Sequence, residues 1–317
     1  MSSGSCLPQP LRGIIPPLAT PLQDEEKLDH AGLESLVEHV LGGKVHGLFI
    51  LGSTGEGPSL NYSLRRELVE RVCDQVGGRV PILVGITDTS FSEAVHMAEW
   101  SAECGASAVV LAPPCYFVPS QEDLCCYVER LAAASSLPLF LYNMPSLTKV
   151  AFELSSVARL LQNEKIVGFK DSSAQMVFFL KVKQIVSARP DFSLLMGPEE
   201  LLAEAVLAGG HGGICGGANL APRLYVELFE AAKACDILRV QSLREKVLTL
   251  SNLIYTIGPK ESAYLRGLKC ALACSGLCGD YLAEPYRPFQ EPERQLIRER
   301  LRQLDLGIES RTPSAVS

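Results

Sequence analysis

Along the first two thirds of the chain, apolar runs of four to seven residues alternate with longer segments whose apolar positions recur every three or four residues. The short runs, at 13–19, 47–51, 81–86, 107–112, 138–142, 165–169, 192–196 and 212–215, predict buried strands. The stretches between them, such as "SLRRELVERVCDQV" and "SFSEAVHMAEWSAECGA", predict amphipathic helices. In the second, Ser90 followed by Glu93 predicts a capping box, and Gly105 marks the stop. Eight strand–helix repeats predict an α/β fold, a closed (β/α)8 TIM barrel. A doubly wound open sheet would call for a G-x-G-x-x-G turn after the first strand, and "LATPLQDEE" contains none. From Pro222 to about Leu306 the pattern is helical only. The expected organisation is a flexible segment over 1–12, a catalytic barrel over 13–221, a C-terminal helical extension packed on it over 222–306, and a disordered tail over 307–317.

At 317 residues and 47% apolar composition, the chain has material for one large core. A formal charge of -7 is the wrong sign for a nucleic-acid partner. No apolar stretch is long enough for a membrane span, and the start "MSSGSCLPQPLRG" lacks the pattern of a signal peptide, so a cytoplasmic protein is expected. The eleven cysteines are odd in number and form no Cys-x-x-Cys pair. Cys270, Cys274 and Cys278 would share a helical face and could be read as a zinc site. However, Gly276 and Gly279 weaken that helix and no histidine lies nearby in sequence. Buried free thiols are the expectation, with no metal.

In such a barrel, chemistry gathers at the carboxyl ends of the strands. Six of those ends carry polar or glycine-bearing segments: "GSTGEG" (52–57), "PPCYF" (113–117), "YNMPSLT" (142–148), Lys170, "GPEE" (197–200) and "CGGAN" (215–219). Lys170 closes the apolar run of "KIVGFKDSSA". Burial disfavours an ammonium, which frees the amine to attack a ketone and form a Schiff base. Alternatively it pairs with Asp171 or Glu199. Tyr142 either relays protons at such an adduct or simply packs its ring. The hydroxyls and N–H groups of "GSTGEG" suit a small carboxylate or phosphate, or form an ordinary glycine turn. "AGGHGGICGGAN" could grip a phosphate, or its glycines could serve close packing. His211 falls before the eighth strand, away from the rim, and receives no catalytic role. "GPEE" offers acceptors for substrate hydroxyls, or carboxylates at a helix start.

Taken together, "GSTGE", "YNMP" and "GFKDSS", in this order and spacing, resemble the dihydrodipicolinate synthase/N-acetylneuraminate lyase family of class I, pyruvate-linked aldolases. The likeness runs from "GIIPPLATPL" through the C-terminal helices. By position it implies that Lys170 forms the imine with pyruvate and that Tyr142 shuttles protons there. Ser53 and Thr54 would contact the pyruvate carboxylate, with Thr54 also in the relay, and Ile214 would offer its carbonyl near the bound pyruvate. Tyr116 would complete the relay from a neighbouring subunit, which implies a homotetramer built as a dimer of dimers. The resemblance implies no metal and no dissociable cofactor. The partners are a small keto acid and an aldehyde.

Within that family, dihydrodipicolinate synthases carry an arginine after YNxP that binds the aldehyde's carboxylate. Here that position is Leu147, which cannot make the bidentate contact, and Lys149 cannot copy a planar fork. The segment is closer to the sialic acid lyases, where Glu199 and Glu200 would face sugar hydroxyls. Gly216 falls where those lyases have a hydroxyl-bearing residue. "GFKDSS" leans towards 2-keto-3-deoxy sugar acid and 4-hydroxy-2-oxoglutarate aldolases. The expectation is therefore reversible cleavage of a 2-keto-4-hydroxy acid to pyruvate and an aldehyde. The alternatives are 4-hydroxy-tetrahydrodipicolinate synthase activity, a phosphate- or flavin-binding barrel enzyme, and a barrel that binds a keto acid without turnover.

Overall fold

A computed structural model describes residues 7–304. The sheet strands are β1 (Gly13–Ile14), β4 (Leu48–Ile50), β5 (Ile82–Gly85), β6 (Ala108–Leu111), β7 (Leu139–Asn143), β8 (Ile166–Asp171), β9 (Ser193–Met196) and β10 (Gly212–Gly213). A short antiparallel hairpin, β2 (Leu22–Asp24) with β3 (Lys27–Leu28), follows β1. All eight sheet strands run parallel, in the order β1-β10-β9-β8-β7-β6-β5-β4. The sheet closes on itself just beyond β1. There Phe49 donates its N–H to the Pro16 carbonyl at 2.9 Å, and Leu18 donates to the Phe49 carbonyl at 2.8 Å. The expected (β/α)8 barrel is what forms.

Two apolar layers follow from strand alternation. Phe49, Leu83, Val110, Phe140, Val167 and Leu195 fill the barrel interior. Their neighbours, among them Ile50, Val84, Leu111, Leu141, Phe169 and Leu194, face the surrounding helices. β8 departs from strict alternation. Leu139 pairs with Ile166 but Phe140 pairs with Gly168, so one extra residue bulges out of the ladder. Val167 packs in the interior, and a Cβ on Gly168 would strike the Phe140 ring at 2.2 Å, so both residues face inward. Phe169 then faces the helices and Lys170 faces in. The pairing also continues one residue beyond Lys170, to Asn143 with Asp171, so the lysine is the penultimate residue of its strand.

The two sequence-predicted helices run over Tyr62–Val76 and Phe91–Glu103. Ser90 caps the second by accepting from the Glu93 N–H at 3.5 Å. The reciprocal half of the expected box is absent because the Ser90 N–H donates to Asp88 instead. The helix Lys260–Cys274 ends at its last cysteine, so Cys278 lies beyond it and the three-thiol face does not form. No metal-binding cluster occurs among the described residues, and every described cysteine is a free thiol. No described helix is long and apolar enough to cross a membrane. Part of the 1–12 segment and the 307–317 tail lie outside the described residues; within the former, Leu11 is buried and its N–H donates to Ser193 Oγ at 2.9 Å.

Helices Pro222–Lys233, Ile237–Ile254, Lys260–Cys274 and Glu291–Gln303 form the C-terminal extension. It is tied to the "GSTGEG" loop by a fully buried ion pair, Lys269 Nζ to Glu56 Oε1 at 2.6 Å. Lys269 also donates to the Thr20 carbonyl at 2.8 Å, and Glu56 accepts from the Ala283 N–H at 2.8 Å. Such satisfaction of the remaining valences makes burial of the pair tolerable. Glu56 itself holds a left-handed backbone, φ +55°.

Candidate active site

A cavity of about 360 Å³ opens at the carboxyl rim, between the strand ends and the C-terminal helices. Lys170 projects into it, 4% exposed. Its cross-strand partner is Tyr142, and its Nζ lies 3.9 Å from the Tyr142 ring centroid and 5.0 Å from that of Phe49. No ion pair among the described residues includes Lys170. Asp171 points to the other face of the sheet, where it accepts from Asn143 Nδ2 at 2.9 Å and from the Ser173 N–H and hydroxyl. The amine is thus cradled by aromatic faces, with no carboxylate neutralising it.

The Tyr142 hydroxyl lies 3.4 Å from Ser53 Oγ. Burial pushes its phenol up. The Lys170 charge, with hydrogen bonds to Ser53, Ser172 and Lys170, more than offsets this and leaves the phenol below its usual range. A tyrosine so placed is closer than an ordinary phenol to exchanging a proton near neutral pH. Ser53 and Thr54 follow β4, and Thr54 Oγ1 is 3.0 Å from the Tyr264 hydroxyl. Ile214 follows β10, its N–H donated to the Met196 carbonyl at 2.8 Å, and is among the residues lining the cavity.

Glu199 is buried and accepts from the Gly217 N–H at 2.7 Å, the Tyr225 hydroxyl at 2.5 Å and the Tyr255 hydroxyl at 3.1 Å. Burial raises its acid to about 7 despite these donors. Glu200 is half-buried on the cavity wall. Leu147, 54% exposed, stands at the mouth. Lys149 turns away through a left-handed residue, φ +62°, and donates to the Ser146 carbonyl at 2.8 Å. The lining therefore carries one cation, Lys170, against Glu199, Glu200 and Glu261.

The Dihydrodipicolinate synthetase family profile matches residues 10–304. The chain is 33% identical over 299 residues to a 4-hydroxy-tetrahydrodipicolinate synthase of Methanopyrus kandleri, covering 93% of this chain and 97% of that one. It is 34% identical to an Escherichia coli protein described as a probable 2-dehydro-3-deoxy-D-pentonate aldolase, covering 84% and 87%. Its fold superposes on the dihydrodipicolinate synthase structure from Bacteroides thetaiotaomicron with TM-score 0.91 and 50% identity, over 93% and 99% of the two chains. The chain belongs to the dihydrodipicolinate synthetase family. Members of this family are class I, pyruvate-dependent lyases and aldolases, which is the chemistry expected from the motifs.

Of the residues that the resemblance singled out, the fold gathers Lys170, Tyr142, Ser53, Thr54, Ile214, Glu199, Glu200 and Leu147 around one cavity. Tyr116 is not among them. It is 80% exposed on the loop after β6, its ring against that of Phe117. Sequence reading missed Tyr255, Glu261, Tyr264 and Tyr286, which reach the cavity from the C-terminal extension. It left two readings open for the glycines of "CGGAN", and the structure favours close packing. A Cβ on Gly216 would lie 1.7 Å from the Tyr264 hydroxyl, and one on Gly217 would lie 2.0 Å from that of Tyr225. The Gly217 N–H, a donor that a phosphate site would use, is already committed to Glu199.

Proposed function

We propose that Lys170 condenses with pyruvate, and that the chain reversibly cleaves a 2-keto-4-hydroxy acid to pyruvate and an uncharged, hydroxyl-bearing aldehyde. The observation that carries this reading is the cross-strand pair of Lys170 and Tyr142 inside the rim, with no carboxylate on the amine. In the cleavage direction the amine adds to the C2 ketone and water leaves, giving the iminium. Tyr142 then takes the proton of the C4 hydroxyl, the C3–C4 bond breaks, and its electron pair forms the C2–C3 double bond of the enamine. The aldehyde departs, C3 is protonated, and water releases pyruvate and the free amine. Ser53 and Thr54 hold the keto acid's carboxylate, and the Ile214 backbone borders it. No metal or dissociable cofactor takes part in these steps.

The uncharged aldehyde is supported by the mouth. Leu147 stands where a carboxylate-binding cation would be needed, Lys149 turns away, and Glu200 and Glu261 repel a second anion. Their carboxylates and the surrounding hydroxyls suit the polyol chain of a 2-keto-3-deoxy sugar acid or a sialic acid. A 4-hydroxy-2-oxoglutarate substrate fits this mouth less well, because the aldehyde it releases is itself an anion. A second reading, 4-hydroxy-tetrahydrodipicolinate synthase activity, is favoured by the name of the Methanopyrus relative. Assembly as a dimer of dimers and a cytoplasmic location belong to the same proposal. They are supported by the exposed Tyr116–Phe117–Val118 cluster and by the free thiols.

Borohydride reduction with pyruvate, followed by peptide mapping, tests the imine. A reduced pyruvate on Lys170, absent in Lys170→Ala, is the expected result, and a folded protein without any adduct overturns the reading. Pyruvate release from a panel of keto acids then separates uncharged from carboxylate-bearing aldehyde partners.

A further inference from the structure

Three donors converge on the buried carboxyl of Glu199, and its two oxygens are not equivalent. Oε2 accepts from the Gly217 N–H at 2.7 Å, and a backbone N–H can only donate. A proton on this acid therefore sits on Oε1, which faces two phenols, Tyr225 at 2.5 Å and Tyr255 at 3.1 Å. With Glu199 ionised, both phenols donate to Oε1. With Glu199 protonated, the new O–H is given to one of them, and that phenol has to turn its own O–H elsewhere. Tyr225 is 0% exposed and its hydroxyl has no second partner among the described residues, so turning would strand its proton. Tyr255, directly after the helix Ile237–Ile254, lines the cavity, where a ligand oxygen can take the proton. Its ring rests edge-on against Tyr264, with centroids 4.8 Å apart, so the hydroxyl turns about its C–O bond while the ring stays in place.

We propose that Tyr255 is a substrate-binding residue switched by Glu199: when Glu199 holds its proton, Tyr255 accepts from it and donates its own O–H to a hydroxyl oxygen of the substrate's polyol chain. The inference rests on the aldolase reading above and names a donor for the aldehyde half of that substrate. When Glu199 is ionised, the same O–H is committed to the carboxylate, and the wall carries one more negative charge beside Glu200. Burial, the largest influence, raises Glu199 to about 7, so both forms are populated near neutrality. The groups facing it are Glu200 on its own turn, Cys215 just past β10, and Tyr225, Tyr255 and Tyr264 from the extension, with Lys170 lining the same cavity. The Glu200 charge raises Glu199 further, while the Gly217 N–H and the Tyr225 and Tyr255 hydroxyls lower it. No covalent bond to carbon changes in the switch; one proton passes between water and Glu199.

The test is the KM of the full-length protein and of Tyr255→Phe for 2-keto-3-deoxy-D-gluconate and N-acetylneuraminate, read as pyruvate release between about pH 6 and about pH 8. Dividing the variant's KM by that of the wild type cancels the ionisations the two share. The ratio is expected to be about tenfold near the acid end, where one hydrogen bond to the substrate is lost, and to fall towards one at the alkaline end. There the phenol is already engaged with Glu199. A packing role for the ring leaves the ratio at one throughout, because phenylalanine keeps the contact with Tyr264. A merely structural tie to Glu199 gives the opposite slope, since the ionised carboxylate is the form that needs its donor. In the Glu199→Gln background, which cannot titrate, the ratio should be independent of pH. Borohydride trapping of pyruvate on Lys170, a ligand without the polyol chain, is run on each protein in parallel. A ratio that is flat with Glu199 present, or that grows with pH, overturns the proposal and leaves the imine standing. Wild-type protein that traps no pyruvate, or that releases none from either keto acid, overturns the aldolase reading and this one with it.

Discussion

Glu199 shows how a single buried carboxyl links site and stability. In the folded chain it keeps its proton up to about pH 7, whereas unfolded it would release it near the ordinary 4.5. Between those values the folded state binds more protons, so stability falls as pH rises through that window, by up to about 3 kcal/mol. Glu199→Gln removes the titration. The stability difference, wild type minus variant, should decline between pH 4.5 and 7 in urea unfolding series, and a flat difference would refute the assignment. Leu147 is the residue-scale test of specificity. Leu147→Arg places a fork at an exposed point of the mouth and should raise kcat/KM for carboxylate-bearing aldehydes by about tenfold or more, with little change for uncharged ones. Unchanged selectivity would show that the mouth does not read charge there. Lys170, Tyr142, Ser53 and Thr54 were legible in the sequence because each follows or ends an apolar run, where a barrel rim must be. Tyr264 was not. "ESAYLRG" reads as any amphipathic helix, and only tertiary packing lays that helix across the rim. The adjacent glycines 216 and 217 were the available signal, since bare positions beside a site mark something large approaching.

At the scale of elements, the helix Lys260–Cys274 does two jobs at different depths. Tyr264 meets the cavity, and just over a turn later Lys269 is fully buried against Glu56. Burial pushes the Glu56 carboxyl up while Lys269 pulls it down, and the former prevails. Lys269→Met strands that carboxylate in the interior and should cost about 3–5 kcal/mol in chemical denaturation. Restoring neutrality with Glu56→Gln in the same chain should recover part of the loss, and an additive double variant would mean the pair is not coupled. The strands were readable as elements because eight apolar runs recur with helical spacers. Their facing was not. Nothing in "KIVGFKD" announces that two successive residues point inward, because a bulge is decided by the neighbouring strand's register and by the room beside Phe140.

For the whole molecule, Tyr116, Phe117 and Val118 form an apolar cluster standing clear of the barrel, with Phe117 83% exposed. Three consecutive exposed apolar side chains are the kind of surface that a second copy covers. If the proposed tetramer forms, Phe117→Asp should shift sedimentation towards smaller species, and a wild type that sediments as a monomer would refute the assembly.

The bulge in β8 has a consequence for anyone redrawing this strand. Counted in twos from Ile166, which faces the helices, Lys170 has the wrong parity to enter the barrel, and one surplus residue corrects the count. The aim of the amine is thus stored in a single surplus residue of the strand. A designer who regularised β8 at constant length would turn the lysine out among the helices and bring Asp171 inward. Phe169 and Asp171 would then face inward, and the site would hold an acid where it now holds an amine.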